Sequence, residues 1–211
     1  SFSESAAFFD IPTLQMLLTE TAMGWMAVAR ITALLAVAAL ALTSAKRIYP
    51  SLFAIMAVVS LSWNGHGAMA DNTLGWLHLA GNALHLLAGL GWIGALAAFL
   101  WAVTLSKASS CDLAVSLERF AGVGTAFVAV LLATGIANTL FIVGSNALPT
   151  LLETTYGRLL MTKIGLFAAM LAAAAANRFW LTPRMTASPS LTAVRTSLGA
   201  ELLLGIAVRE I

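Results

Sequence analysis

Long apolar runs, separated by short polar connections, dominate the chain. A bilayer core about 30 Å thick is crossed by roughly 20 apolar residues in helical conformation. The sequence contains five clear runs of that kind and a sixth near its end, covering residues 22–44, 50–66, 77–105, 120–143, 158–181 and 191–208. We therefore predict an all-α fold, a polytopic transmembrane helical bundle with about six spans.

The segment before the first run has a different character. Residues 1–21 mix polar and apolar positions, and the part around Pro12 predicts a short helix that lies in the membrane interface. We accordingly divide the chain into a periplasmic or interfacial N-terminal segment, residues 1–21, and a transmembrane helical domain, residues 22–211.

Composition excludes several classes of function. Hydrophobic residues make up 60% of the 211 positions and charged residues 9%, which indicates an integral membrane protein. The net charge of +2 comes from scattered cations, so nucleic acid is not an expected partner. The single cysteine, Cys111, excludes an internal disulfide and a cysteine-based zinc framework. Since no Ser-His-Asp arrangement, nucleotide loop or H-E-x-x-H pattern occurs, we expect no enzymatic activity.

Basic residues predict the orientation in the membrane, because Lys and Arg are retained in cytoplasmic connections. Every connection after the first, third and fifth runs is basic, through Lys46, Arg47, Lys107, Arg119, Arg178, Arg184 and Arg195. The connections 67–76 and 144–157 contain Asp71 and Glu153 but neither Lys nor Arg. These two connections are therefore predicted to face the periplasm.

All three histidines of the chain fall within one stretch, residues 62–94. His66 ends the second run and His78 begins the third, so both are expected at the outer membrane face with Met69 between them. On the third run a helical repeat places His78, Asn82 and His85 in one stripe, which continues through Gly89 and Trp92. A step of seven residues puts His85 about 10 Å deeper than His78.

The residue types in this stretch suit copper. Imidazole is a good copper ligand and thioether favours Cu(I), so His66, Met69 and His78 form a plausible outer copper site. His85 cannot share an ion with His78, because an ion lies about 2 Å from each ligand nitrogen. An ionisable group inside the membrane is costly and usually functional, which favours a second station at His85. An interfacial histidine, by contrast, is often only an amphipathic residue, and that interpretation stays open for His66 and His78.

Further polar side chains interrupt the apolar runs, mainly in their outer halves. They are Arg30, Asn138 and Lys163, with Glu201 near the middle of the sixth run. In one interpretation the cations extend toward the interface and the amides form interhelical hydrogen bonds. In the other, Arg30 or Lys163 pairs with an acid such as Glu201 or Glu20 in a water-filled cavity.

Several motifs, in order along successive runs, resemble one protein family. The segments are "TETAMGWMAVARI", "NGHGA", "LHLLAGLGWIGAL", "RFAGVGTAFVAVLLATGIANTLFIVGS", "TTYGRLLMTKIGLFAAMLAAAAANRF" and "VRTSLGAELLLGIAV". Together they resemble the copper resistance protein D (CopD) family. The resemblance implies a multi-pass protein of the bacterial inner membrane that moves copper between periplasm and cytoplasm. It also implies a periplasmic copper carrier of the CopC type as a partner, and His66, His78 and His85 at matching positions.

Three functional hypotheses follow. The first is copper transport, with the lipid bilayer as environment, copper ions as cargo and the histidine cluster toward the periplasm. The second is a b-type cytochrome, in which imidazoles ligate haem b and Arg30 or Lys163 meets the haem propionates. The third is a helical scaffold whose polar residues serve only helix association.

Overall fold

A computed structural model describes residues 11–64, 73–105, 110–144, 151–181 and 191–210. Over these ranges the fold is all-helical and contains no strand. Seven helices occur there: α1 (Ile11–Glu20), α2 (Ala22–Ala41), α3 (Ile48–Val59), α4 (Thr73–Leu105), α5 (Ser110–Val143), α6 (Thr155–Ala176) and α7 (Leu191–Glu210). A 3₁₀ turn, Ser60–Asn64, continues α3, and a π-helical turn, Asn177–Leu181, continues α6.

Four helices in the described ranges are long and apolar enough to cross a membrane: Ala22–Ala41, Thr73–Leu105, Arg119–Val143 and Thr155–Trp180. They match the first, third, fourth and fifth predicted runs. The predicted total of about six spans is not confirmed. The second run forms a shorter apolar helix, Ile48–Trp63, and α7 carries Arg195 and Glu201, which lower its apolar character.

The second predicted run changes helix type part-way. Its α-helical part has 12 residues and its 3₁₀ part has five. At about 1.5 Å per α-helical residue and about 2 Å per 3₁₀ residue, the two parts rise by about 28 Å. That rise is close to the thickness of a bilayer core.

The chain divides into two compact units, Ser1–Leu87 and Ala88–Ile211, and α4 contributes to both. In the first unit α2 packs against α1 and α3. Ala33 of α2 and Ala57 of α3 are buried, as expected where small side chains allow helices to pack closely in a membrane.

The second unit has a well-defined hydrophobic core built by α4, α6 and α7. Its buried members are Trp92, Leu96, Val103, Met170, Val194 and Leu198. Trp92 meets Phe167 of α6 edge to face, with ring centroids 6.1 Å apart. A Cβ built on Gly205 of α7 would lie 3.4 Å from the Met170 sulfur, so the absent side chain lets α6 and α7 approach. This contact fixes the register between the two helices.

Helices α2 and α6 begin with the same local structure. The Thr21 hydroxyl accepts a hydrogen bond from the Gly24 N–H at 3.0 Å and donates to the Leu17 carbonyl at 2.6 Å. A threonine three residues before Gly157 repeats both bonds, to the Gly157 N–H at 2.9 Å and to a leucine carbonyl at 2.7 Å. At both glycines a Cβ would collide with the backbone of the preceding segment. The turn that starts each helix therefore requires glycine.

Candidate functional site

Helix α4 carries the described part of the histidine stripe. His78, Asn82 and His85 are half-buried along it. The two imidazoles are seven residues apart, or about 10 Å along the helix axis. Both make an interaction within the protein. The separation predicted for the two histidines thus follows from the continuous helix.

The other predicted copper ligands, His66 and Met69, lie outside the described residues. Asp71 of the same connection does as well. Within the ranges that the structure describes, no group of three or more His, Cys, Asp or Glu side chains is placed to hold a metal ion. A copper site formed by His66, Met69 and His78 accordingly stays a prediction.

The geometry of α4 restricts the haem hypothesis. Two axial ligands bind opposite faces of one iron, which places their nitrogens about 4 Å apart at a bond length of about 2 Å. His78 and His85 lie on one helix, about 10 Å apart along its axis, and cannot ligate the same iron. A bis-histidine haem would therefore need His66.

Arg30 connects two helices of the first unit. Its Nε donates to the Ser60 hydroxyl and its Nη2 to the Ser60 carbonyl, both at 3.0 Å. The hydroxyl in turn donates to the Ala57 carbonyl at 2.7 Å. The guanidinium thus binds α3 where the helix changes to 3₁₀ geometry, and satisfies a carbonyl at the start of that turn.

Two buried oxygen atoms in the described part of the chain lack a hydrogen-bond partner. One is Ser62 Oγ in the 3₁₀ turn of the first unit, and the other is Asn138 Oδ1 on α5 in the second. Buried polar atoms are normally satisfied, so each of these two oxygens has acceptor capacity left for an ordered water.

Glu201 is a buried acid on α7, in the second unit. It is 3% exposed and is the one buried charged side chain among the described residues. It lines a partly open cavity of about 370 Å³ between α4, α5, α6 and α7. The rest of the lining is mainly apolar and includes Trp92, Phe120, Gly124, Leu171, Ala174 and Phe179.

Arg178 is a second charged group at this cavity, and sequence reasoning used it only for orientation. It lies on the π-helical turn of α6, donates to the Thr125 hydroxyl at 3.2 Å and stands 5.7 Å from the Phe179 ring centroid. π-helical turns are frequent at functional sites. The signal available in the sequence was a charged residue at the end of an apolar run.

Lys163 lies on α6 on the far side of Met170 from the cavity. It is half-buried on α6, seven residues before Met170, which meets Gly205. Since Ala174 and Arg178 follow Met170 and line the cavity with Glu201, Lys163 lies about 10 Å from the Met170 level in the other direction. Of Lys163 and Arg178, Arg178 is the one that shares the cavity with Glu201.

Arg195 has a structural position in the second unit. Its Nη2 donates to the carbonyls of Val103 at 3.0 Å and Thr104 at 3.4 Å, near the C-terminus of α4. A cation there satisfies terminal carbonyls and complements the helix dipole. Its Nε is buried without a partner.

Comparison with known proteins matches the sequence of this chain to one family. Residues 114–209 match the family model described as copper resistance protein D, and residues 2–76 match that of the copper resistance protein D-like N-terminal domain. Copper resistance protein D of Pseudomonas syringae pv. tomato is 35% identical over 182 residues, 82% of this chain. The chain belongs to the copper resistance protein D family. The family predicted from the motifs is thereby confirmed.

Two further relatives are similar to this chain over smaller parts of its length. Inner membrane protein YebZ of Escherichia coli (strain K12) is 34% identical over 60% of the chain, and copper transport protein CutJ of Bacillus subtilis (strain 168) is 32% identical over 75%. The chain spans 58% of the Pseudomonas protein, 43% of YebZ and 28% of CutJ. No solved structure matches it.

Proposed function

We propose that this chain is a membrane-spanning part of a bacterial inner-membrane protein that moves copper ions between periplasm and cytoplasm. The family membership supports the copper chemistry, and the four apolar helices support a multi-pass location. The observation that carries the proposal is the pair of half-buried imidazoles, His78 and His85, on the single helix α4. Half-buried ionisable groups within a span are typical of ion pathways.

In the proposed path, copper first binds at the periplasmic face to His66, Met69 and His78. Neutral imidazole and thioether ligands match the soft ion without adding net charge. The ion then moves to His85, about 10 Å further along the helix. Ion release from a periplasmic carrier of the CopC type would supply the outer site. Contribution to copper resistance follows from net movement of the ion.

The test is replacement of His85 by leucine, which removes the imidazole and puts an apolar side chain of similar size in its place. We expect copper accumulation, measured by elemental analysis of cells, to fall about tenfold relative to wild type, since a coordinating station is lost. Leu84→Ala is the matched control, because Leu84 is the exposed neighbour on the same helix. Equal amounts of each variant in the membrane fraction exclude an insertion defect. Unchanged copper accumulation in His85→Leu would contradict the proposed path.

A further inference from the structure

The cavity at Glu201 contains chemistry that copper binding does not use. We propose that Glu201 is a proton-exchanging group, and that its cavity couples proton movement to copper movement; this rests on the proposed transport function. Four observations carry the argument: the burial of the carboxylate, the single acid among the described lining residues, the volume of the cavity, and helix α4, which carries the histidine stripe and also lines the cavity.

Burial comes first. Glu201 lies midway along α7 and is 3% exposed, while its neighbours one turn away, Leu198 and Gly205, are also buried. Burial of a charged side chain in a membrane protein costs several kcal/mol, and such residues commonly mark ion or proton pathways.

The ionisable residues that line the cavity favour a proton over a copper ion. Among the described residues, no group of three His, Cys, Asp or Glu side chains includes Glu201. The other ionisable side chain in the lining is Arg178 on α6, while α4 contributes Trp92 and α5 contributes Thr125. A guanidinium in the same cavity repels a copper ion. A proton needs only one carboxylate oxygen, so the proton is the cation that this site suits.

The cavity provides room for exchange with water. A volume of about 370 Å³ exceeds by more than tenfold the roughly 10–15 Å³ that is needed on the same measure to hold one water molecule. Glu201, Thr125 and Arg178 supply the polar partners that water needs. A Cβ built on Gly124, which also lines the cavity, would meet no heavy atom within 4 Å. The space beside the carboxylate can therefore be filled by substitution without a backbone clash.

Trp92 relates the cavity to the proposed copper path. It follows His85 by seven residues, the same step that separates His78 from His85, and it lines the Glu201 cavity. Residues at this spacing on one helix share a face. Helix α4 therefore carries both the histidine stripe and one residue of the cavity wall.

The test uses the full chain in proteoliposomes, with copper ions as the probe, supplied as Cu(II) or as Cu(I) with ascorbate. Copper inside the vesicles is measured by elemental analysis, and internal pH by trapped pyranine. In the wild type we expect copper entry to be accompanied by a proton flux, and an imposed gradient of one pH unit to change the copper rate several-fold. Glu201→Gln should abolish the copper-dependent proton flux, and Glu201→Asp should retain part of it.

Two glycine variants test the cavity without touching the carboxylate. Gly124→Leu should fill the space and reduce the proton flux at least fivefold. Gly122→Leu is its matched control, since Gly122 is exposed on the same helix and is absent from the lining. Unaltered copper binding by the purified variants confirms that they are folded.

The outcomes separate the two proposals. A wild-type proton flux in Glu201→Gln, or copper entry without proton flux in the wild type, would overturn the coupling and leave copper transport intact. Equal effects of Gly124→Leu and Gly122→Leu would overturn the role of the cavity. No copper entry in the wild type would overturn both the transport function and its coupling.

Discussion

Replacement of Arg30 distinguishes a structural cation from one that serves a functional acid. The guanidinium donates two hydrogen bonds at 3.0 Å to Ser60, one to the hydroxyl and one to the carbonyl. Interhelical hydrogen bonds in membranes contribute about 1 kcal/mol each. Arg30→Met should therefore lower the free energy of unfolding by about 2 kcal/mol, roughly a 30-fold change in the folded-to-unfolded ratio.

Ser60→Ala isolates one of the two bonds. It removes the hydroxyl that accepts from Arg30 Nε and that donates to the Ala57 carbonyl at 2.7 Å, while the Ser60 carbonyl remains. The loss of the bond to Ala57 occurs in both arms of a double-mutant cycle and cancels. The coupling energy between Arg30 and Ser60 should then be about 1 kcal/mol, the value of a single such bond.

Unfolding of the four proteins in mixed micelles, followed by circular dichroism at increasing denaturing detergent, measures the cycle. Arg30→Lys serves as the charge-conserving variant. An ammonium group lacks the planar fork that reaches both oxygens, so it should recover only part of the lost stability. A coupling energy below about 0.3 kcal/mol would refute the proposed tie between α2 and α3, since that is the usual scatter for independent sites.

Two further predictions concern the packing of the second unit. Arg195→Met removes the donors to the Val103 and Thr104 carbonyls; after allowance for the relieved unpartnered Nε, we expect a loss of about 1–2 kcal/mol. Arg195→Lys keeps a charged donor and should lose about half as much in the same detergent titration; a loss equal to that of Arg195→Met would exclude the carbonyl contact as the cause. Gly157→Ala should prevent normal folding, detected as loss of monodisperse protein, because its Cβ meets the Leu151 backbone. Gly165→Ala on the same helix, where a Cβ meets nothing within 4 Å, should change stability by less than about 1 kcal/mol.

Apolar length predicted most helices well because it is a local property. The third predicted run, 77–105, corresponds to Thr73–Leu105, and the fourth, 120–143, to Arg119–Val143. The short N-terminal helix also appears, as Ile11–Glu20. The family was equally accessible from short motifs in order. These features depend on neighbouring residues alone, so the sequence is sufficient to predict them.

Features that depend on distant contacts were not accessible. The change to 3₁₀ geometry at Ser60 coincides with a bond to Arg30, a residue 30 positions earlier. The cavity at Glu201 requires residues from four helices, and Arg178 reaches it through a π-helical turn. Hydrophobic periodicity carries no information about which cation meets which acid. The pairing of Glu201 with Arg30 or Lys163 was therefore open, and the structure places Arg178 in the same cavity instead.

The sequence contains a short internal repeat at the starts of α2 and α6. The segments "ETAMGWMAVARI" and "ETTYGRLLMTKI" share Glu, Thr, Gly and Ile at equal spacing, and place Arg30 and Lys163 at equivalent positions. The shared turn at Gly24 and Gly157 shows that the similarity extends to hydrogen bonds. Internal repeats of this kind are common in membrane transporters.

The partners of the two equivalent cations differ. Arg30 binds Ser60 of the next helix, whereas Lys163 lies on α6 away from the cavity that holds Glu201 and Arg178. In the second unit the helix after α6 carries a buried acid, Glu201. The cation in its cavity is Arg178, which follows the C-terminal end of α6. The turn that starts α2 is thus repeated at the start of α6, but the contacts of the polar side chains that follow are not. Chemistry specific to one unit should then be sought at Glu201, because the features common to both helices explain only how each one starts.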